Sequence, residues 1–428
     1  MGKIPGLGIS VILLSACLLP CVARAQGAVE ALLYDLSLRP EPIVLLELDT
    51  DAERLVYYNA QGERAEAAFD EIVRLTFPSG TRAADESLPV LATTDGQRIV
   101  GRSGQRLRPA IGDAESVGWR GVDGLPTVAV SLDDLAWVVL DPAVAPPSAP
   151  PGDDVLVLTN GERLTGFVDA LGLDAVGFVP DYANDPLSIQ PARVAALFMS
   201  NQWSAFDGPS IFATLASGSR WRCSLGTLEV AGVGGVVGLR SALEDVAEGA
   251  EPALTPVRLG VSETDTETQR GWPVVTRLDF QVGRHRMVPL SSLTMTEVEP
   301  AEPFGVSMPT RRTADGSVAL HAPVAVAFDL PDGAARLSAK VVLALGDDIP
   351  EDRRAWAGCV VVVAVGEAVL ARMTIDHEQP EHTANVELPE SAVPGAARTL
   401  TIRIEEGVNG PILDRVELRD AEVIVLGE

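Results

Sequence analysis

The sequence predicts an all-β chain, tandem small barrels followed by a C-terminal β-sandwich or jelly roll. Three observations carry that prediction. A hairpin phrase recurs in four copies between residues 45 and 223, each followed by a short closing phrase. From residue 300 onward the texture changes to long aliphatic strands, VAVAFDL, LSAKVVLALG, CVVVVAVG and TLTIRIEEG. Helix signals are nearly absent.

At 428 residues the chain exceeds a single core and implies several domains. Hydrophobic residues at 46% against 22% charged give a globular rather than a disordered balance. The formal net charge of −27 repels phosphate backbones and anionic lipid, which argues against nucleic acid as a partner. Lys3 and Lys340 are the only lysines, so arginine carries the positive charge; with abundant Ala, Gly and Val, that reads as coding bias rather than function.

Residues 1–25 read as a signal peptide. Lys3 supplies a weak positive start, Ile9 to Leu19 an apolar core too short to span a bilayer, and Ala23-Arg24-Ala25 the small-x-small pattern cut before Gln26. The mature protein is therefore expected to be secreted or periplasmic. A lipoprotein signal at Cys17 and an uncleaved anchor are the alternatives. No later stretch reaches the roughly 18 apolar residues of a membrane helix, so an integral membrane protein is not expected. Cys17 and Cys21 fall in the leader; Cys223 and Cys359 lie in apolar runs of different domains and read as buried free thiols, not a disulfide framework.

The clearest repeat aligns DVLVLTNGERLTG (154–166) with PVLATTDGQRIVG (89–101) without a gap. Asn160-Gly161 and Asp95-Gly96 suit the positive-φ positions of a type I′ turn and are assigned structural roles. LLELDTDAERLVY (45–57) and IFATLASGSRWRC (211–223) are looser copies. The closing phrases are FDEIVRL (69–75), LDDLAWV (132–138), PARVAAL (191–197) and LSSLTMT (290–296). A strand pair, a 3₁₀-type turn and a final strand resemble an SH3-like or Sm-like small barrel. Such barrels are small for independent stability, so neighbours are expected to pack as one pair over 26–141 and a second over 154–299, across a stiff proline-rich linker at 142–153.

The last domain, 300–428, carries its own signature: His321-Ala322, the strand Ala327-Phe328-Asp329-Leu330, the valine-rich strand from Cys359 to Val365, and a closing phrase from Asp414 to Asp420-Ala421. This pattern resembles the NPCBM family of carbohydrate-binding modules, named from domains attached to family 98 glycoside hydrolases. The resemblance implies a β-sandwich that recognises a polysaccharide or glycosylated surface polymer. The closing phrase departs from the family's common form, with Arg415 and Leu418 where His and Trp often stand. Sugar rings are usually met by aromatic platforms. Phe328 and Trp356 are the only aromatics after Arg312, and Phe328 lies in a strand expected to bury it. Trp356 and, secondarily, His321 are the candidate ligand-binding residues, while Asp414 is expected to be structural, holding loop 405–410.

Catalytic constellations fail one by one. The histidines of His377-Glu378-Gln379-Pro380-Glu381-His382 are spaced wrongly for a helix face, and Pro380 forbids the helix, leaving a polar hairpin loop. The glycines of 232–238 do not follow the dinucleotide-binding spacing. There is no nucleophile elbow and no phosphate loop. An enzyme would require an unrecognised carboxylate pair. No cofactor or metal is expected, although Asp347, Asp348, Glu351 and Asp352 form an acidic loop of the oxygen ligands that Ca²⁺ prefers; a solvated loop is the plainer reading. His285 reads as a solvated strand residue. The expected function is therefore non-catalytic glycan binding; the alternative is a protein-interaction scaffold of the cell envelope.

Overall fold

The structure, a computed structural model, describes residues 29–427 apart from 51, 78–86, 111–112, 123–126, 148–149, 184, 204–209, 226–227, 230–235, 242–254, 260–272, 283–284, 309, 314–315, 347–348 and 391–396. The expected leader with Cys17 and Cys21, Asp347 and Asp348, and most of the 232–238 glycines lie outside the described residues. Strands dominate what remains, with 3₁₀ turns and a single described α-helix, Glu351–Arg354. The chain is all-β.

The first repeat runs through strands Val29–Asp35, Pro40–Asp49, Arg54–Tyr58 and Arg64–Ala68, a 3₁₀ turn at Phe69–Glu71, and the closing strand Ile72–Thr76. That closing strand returns to pair with the first, Leu33 opposite Leu75. The third repeat follows the same plan, from Asp154–Leu158 to the turn Pro191–Arg193 and closing strand Val194–Phe198. Its closing phrase explains itself. Pro191 is set for the first turn position, its buried ring anchors the turn, and the run VAALF is buried along its length. Among the described residues the first and third repeats are open curls rather than closed barrels: the fourth strand pairs only with the third, and the closing strand returns to the first.

The hairpin turns differ from the expected type. Gly96 and Gly161 both have φ +85°, but neither Asp95 nor Asn160 has a positive φ. Gly96 N–H donates to Thr93 O at 3.1 Å, and Thr93 N–H to Gln97 O at 3.1 Å; Gly161 and Leu158 repeat the arrangement. These are type I turns followed by a left-handed glycine that forms a bulge, which requires one positive φ where type I′ requires two.

The repeats do not pair in chain order. The closing strand of the second repeat, Leu135–Val139, bonds to that of the third, with Val138 opposite Leu197. The closing strand of the first bonds to Val274–Gln281 of the fourth, with Leu75 opposite Leu278. The nesting is thus first with fourth and second with third, in place of the expected pairs 26–141 and 154–299. Sheet pairing bridges the 142–153 linker, and one hydrophobic core runs from Val29 to Phe280 through all four repeats.

The boundary near 300 also moves. LSSLTMT, read as the fourth closing phrase, belongs to the C-terminal sandwich; the fourth repeat closes with Val274–Gln281, which pairs with its first strand Ser210–Leu215. His285–Pro289 pairs with Arg415–Leu426, and Met295–Glu299 with Val324–Leu330. Val288 and Leu290 sit in the sandwich core. An apolar-x-x-aliphatic phrase fits either core, so spacing alone could not choose between them. His285, expected in solvent, is 4% exposed and bonds Phe280 O through Nε2 at 2.8 Å. Burial holds its pKa below the ordinary histidine value.

The sandwich packs a sheet ordered Arg311–Arg312, Val318–His321, Arg415–Leu426, Ala334–Leu343, Glu381–Glu387 against one ordered Met295–Glu299, Val324–Leu330, Arg398–Glu406, Gly358–Val365, Ala368–Asp376. Period-two alternation sets the faces: in Val324–Leu330 the side chains of Val324, Val326, Phe328 and Leu330 enter the core while Asp329 is exposed. The His377–Gln379 segment is a polar turn but not the expected hairpin: Ala368–Asp376 pairs with Gly358–Val365 in one sheet and Glu381–Glu387 with Ala334–Leu343 in the other, so the turn carries the chain between sheets. Cys223 and Cys359 are buried free thiols, each pushed up to about 12 by burial.

A buried ionic cluster joins sandwich and repeats. Arg74 Nε donates to Asp279 Oδ1 at 2.8 Å and Nη2 donates to Glu422. Arg277 donates to Glu422 at 3.1 Å and, at the cluster's exposed rim, to Asp420 at 2.7 Å. Asp279 is fully buried; burial opposes its ionisation, but Arg277, Arg74 and Arg220 overcome that and hold its carboxyl below the usual range. Beside it, Leu38, Val73, Met287 and Ile424 form a small apolar seam.

Candidate ligand-binding site

The three residues singled out in the sandwich come together at one end of it. Asp414 is fully buried. Its carboxylate accepts Gly358 N–H at 2.9 Å and Gly407 N–H at 3.1 Å, while its own carbonyl accepts Ala322 N–H at 3.0 Å. One side chain and its backbone thereby tie three segments: the turn after Trp356, the loop at Gly407 and the chain beside His321. The strands cross so closely there that a Cβ on Gly407 would stand 1.7 Å from Gly358 O, so only glycine fits. Burial, opposed by the two N–H bonds, holds the Asp414 carboxyl above its ordinary value. Asp414→Ala should remove two backbone partners and lower stability by about 1–3 kcal/mol. A chemical-denaturation midpoint equal to that of the parent would show that Asp414 does not organise this end.

Trp356 stands on that frame and is 52% exposed. The short helix Glu351–Arg354 leads into it, Trp356 N–H donates to Arg353 O at 3.0 Å, and Asn409 Nδ2 donates to Trp356 O at 3.3 Å. The backbone is held on both sides while the indole projects. Val408 is fully exposed and Ile412 36% exposed on the adjoining loop. His321 is half-buried, its Nδ1 donating to Ala322 O at 2.8 Å. Such an end can stack an apolar face and offer a few polar contacts; Asp414, buried and already bonded, is not presented to a ligand.

The remaining candidates lie elsewhere. Asn160, Gly161, Asp95 and Gly96 build hairpin turns of the repeats; Asp95 also pairs with Arg222 of the fourth repeat at 3.1 Å. Glu351 and Asp352 are exposed on the short helix, and no cluster able to hold a metal ion occurs among the described residues. Val408, Ile412 and the ionic cluster escaped sequence reasoning. The cluster had a signal: Arg277 and Asp279 interrupt the apolar strand VVTRLDFQ, and Glu422 opens EVIVL.

The sequence matches no protein-family model and no curated protein. Among solved structures, the chain is similar to the CBM51 module of a family 95 glycoside hydrolase from Clostridium perfringens in complex with methyl-galactose: 12% identity, 33% of this chain, 89% of that chain, TM-score 0.21. It is similar to the CBM51-2 and INT domains of Clostridium perfringens ZmpB at 11% identity, with 34% of this chain, only 31% of that chain and TM-score 0.21. It is also similar to the tandem CBM51 modules of a Streptococcus pneumoniae family 98 glycoside hydrolase at 12% identity, with 79% of this chain, 88% of that chain and TM-score 0.20. These neighbours are carbohydrate-binding modules; similarity at this level transfers neither their ligands nor any activity.

Proposed function

We propose that this chain is a secreted, non-catalytic binding protein whose C-terminal sandwich recognises a polysaccharide or cell-surface glycan. The observation that carries the reading is the exposed indole of Trp356 on a backbone frame tied by Asp414. A rigid amphipathic ring presented to solvent supplies contact area with little ordering to do on binding. Trp356→Ala should abolish retention on an immobilised polysaccharide and change stability by less than about 0.5 kcal/mol, as surface substitutions usually do. Unfolding of the variant would make Trp356 a core residue and remove the one exposed aromatic among the described residues of the sandwich.

The scaffold reading has a separate observation in its favour. Phe167, Leu173 and Tyr182 of the third repeat are 54%, 71% and 74% exposed, large apolar groups of the kind found at protein interfaces.

A further inference from the structure

A half-open cleft of about 150 Å³ lies where the second repeat, the linker, the fourth repeat and the sandwich meet. It is separate from the Trp356 end and has room for a single sugar-sized group. Trp137, Trp203 and the linker prolines Pro146 and Pro147 form its apolar wall. Arg220, Arg277 and Thr214 face it from the fourth repeat, and Asp420 and Glu422 from the sandwich.

Donors on this wall outrun their acceptors. Arg220 is 9% exposed, yet its Nε and Nη2 make no hydrogen bond among the described residues. The carboxylates of Asp279 and Glu422 stand 3.7 and 3.8 Å from Nη2, near enough for attraction and too far for a bond. Among the described residues, Arg277 Nε, Trp203 Nε1 and Thr214 Oγ1 are also buried without a hydrogen-bond partner, against a single such acceptor beside them, Asp279 Oδ2. Unmet donors of this kind are expensive unless an acceptor arrives. The lining carboxylates of Asp420 and Glu422 would repel a dianion such as a phosphate monoester, but a single negative charge can be shared between the guanidinium groups.

We propose that the cleft binds a carboxylate-bearing ring of hexose size, a uronic acid, with the carboxylate on the Arg220–Arg277 side and the ring against Trp137 and Trp203. The proposal is independent of the Trp356 reading, because the two sites share no residue. It is tested on the whole chain from residue 26, by calorimetric titration with glucuronate, an oligogalacturonide and glucose. Glucuronate should bind saturably while glucose gives no heat at the same concentrations. Thr214→Val, which removes a donor and keeps the shape, and Trp203→Phe, which removes a donor and keeps a smaller ring, should each weaken binding at least about 3–10-fold, the usual effect of one lost hydrogen bond. Tighter binding of the oligomer would assign the cleft to a polymer end, and equal binding to the free acid. Val369→Ala, at an exposed position of Ala368–Asp376 that does not line the cleft, should leave the titration unchanged. Equal responses to glucose and glucuronate, no saturable response to either acid, or wild-type affinity in both well-folded donor variants would overturn the proposal.

Discussion

A fragment spanning 300–428 will not melt cooperatively, whereas one beginning at residue 282 will. The shorter fragment lacks His285–Pro289 and Met295–Glu299, one strand from each sheet of the sandwich. With them go Val288 and Leu290 from its core and the partly buried Met295 packed against it. Burying one such side chain contributes about 1.5–3 kcal/mol. A domain whose net stability is about 5–15 kcal/mol does not survive the loss of several together with two ladders of backbone bonds. Parallel thermal scans by near-ultraviolet circular dichroism decide the matter: a sharp transition at the same midpoint in both fragments would show the two strands to be dispensable.

The second large effect is expected from Asp279→Asn. The substitution leaves Arg74, Arg220 and Arg277 packed around Glu422 with one buried carboxylate gone. Removing one member of a buried ionic cluster costs about 3–5 kcal/mol, because the others remain buried and unbalanced. The same cluster makes the protein acid-sensitive. Asp279 and Asp420 both titrate below the ordinary carboxylate value, so their contribution is complete above about pH 4 and disappears as pH falls through their lowered folded values. His285, held neutral by burial, adds an earlier loss that begins as pH drops below about 6.5. Urea midpoints of the parent and Asp279→Asn from pH 7 to pH 3 should converge in acid. A difference below about 1 kcal/mol at pH 7 would mean that the cluster does not clamp the modules.

Strand identity was the legible part of the chain. Period-two alternation around Val324–Leu330 and the positions, though not the type, of the glycine turns at Gly96 and Gly161 are local, and local geometry decides them. Partner choice was not legible. The closing phrases FDEIVRL and LSSLTMT look alike in sequence, yet Ile72–Thr76 pairs within the repeats while Met295–Glu299 pairs with the sandwich. Which edge a strand joins depends on what stands beside it in space. The same holds at the candidate site. Asp414 could be read as a residue that satisfies turn N–H groups, but its joining of Gly358, Gly407 and Ala322 needs three segments far apart in sequence. Exposure of Val408 follows from that junction and has no signal of its own.

The nested order of the repeats sets a timetable for synthesis. Ile72–Thr76 leaves the ribosome early, but its neighbour in the sheet, Val274–Gln281, is made only after two intervening repeats. Until then the first repeat carries an unsatisfied strand edge, the kind of surface that templates aggregation. The second and third repeats, by contrast, can join as soon as Val194–Phe198 emerges. The inner pair is thus available as a platform before the outer pair exists, and closing the outer pair across it draws the chain's beginning and its late strands together in one step. A nascent chain arrested before residue 274 would hold a finished centre and an open flank, and any factor that shields the protein during its manufacture would find its task there.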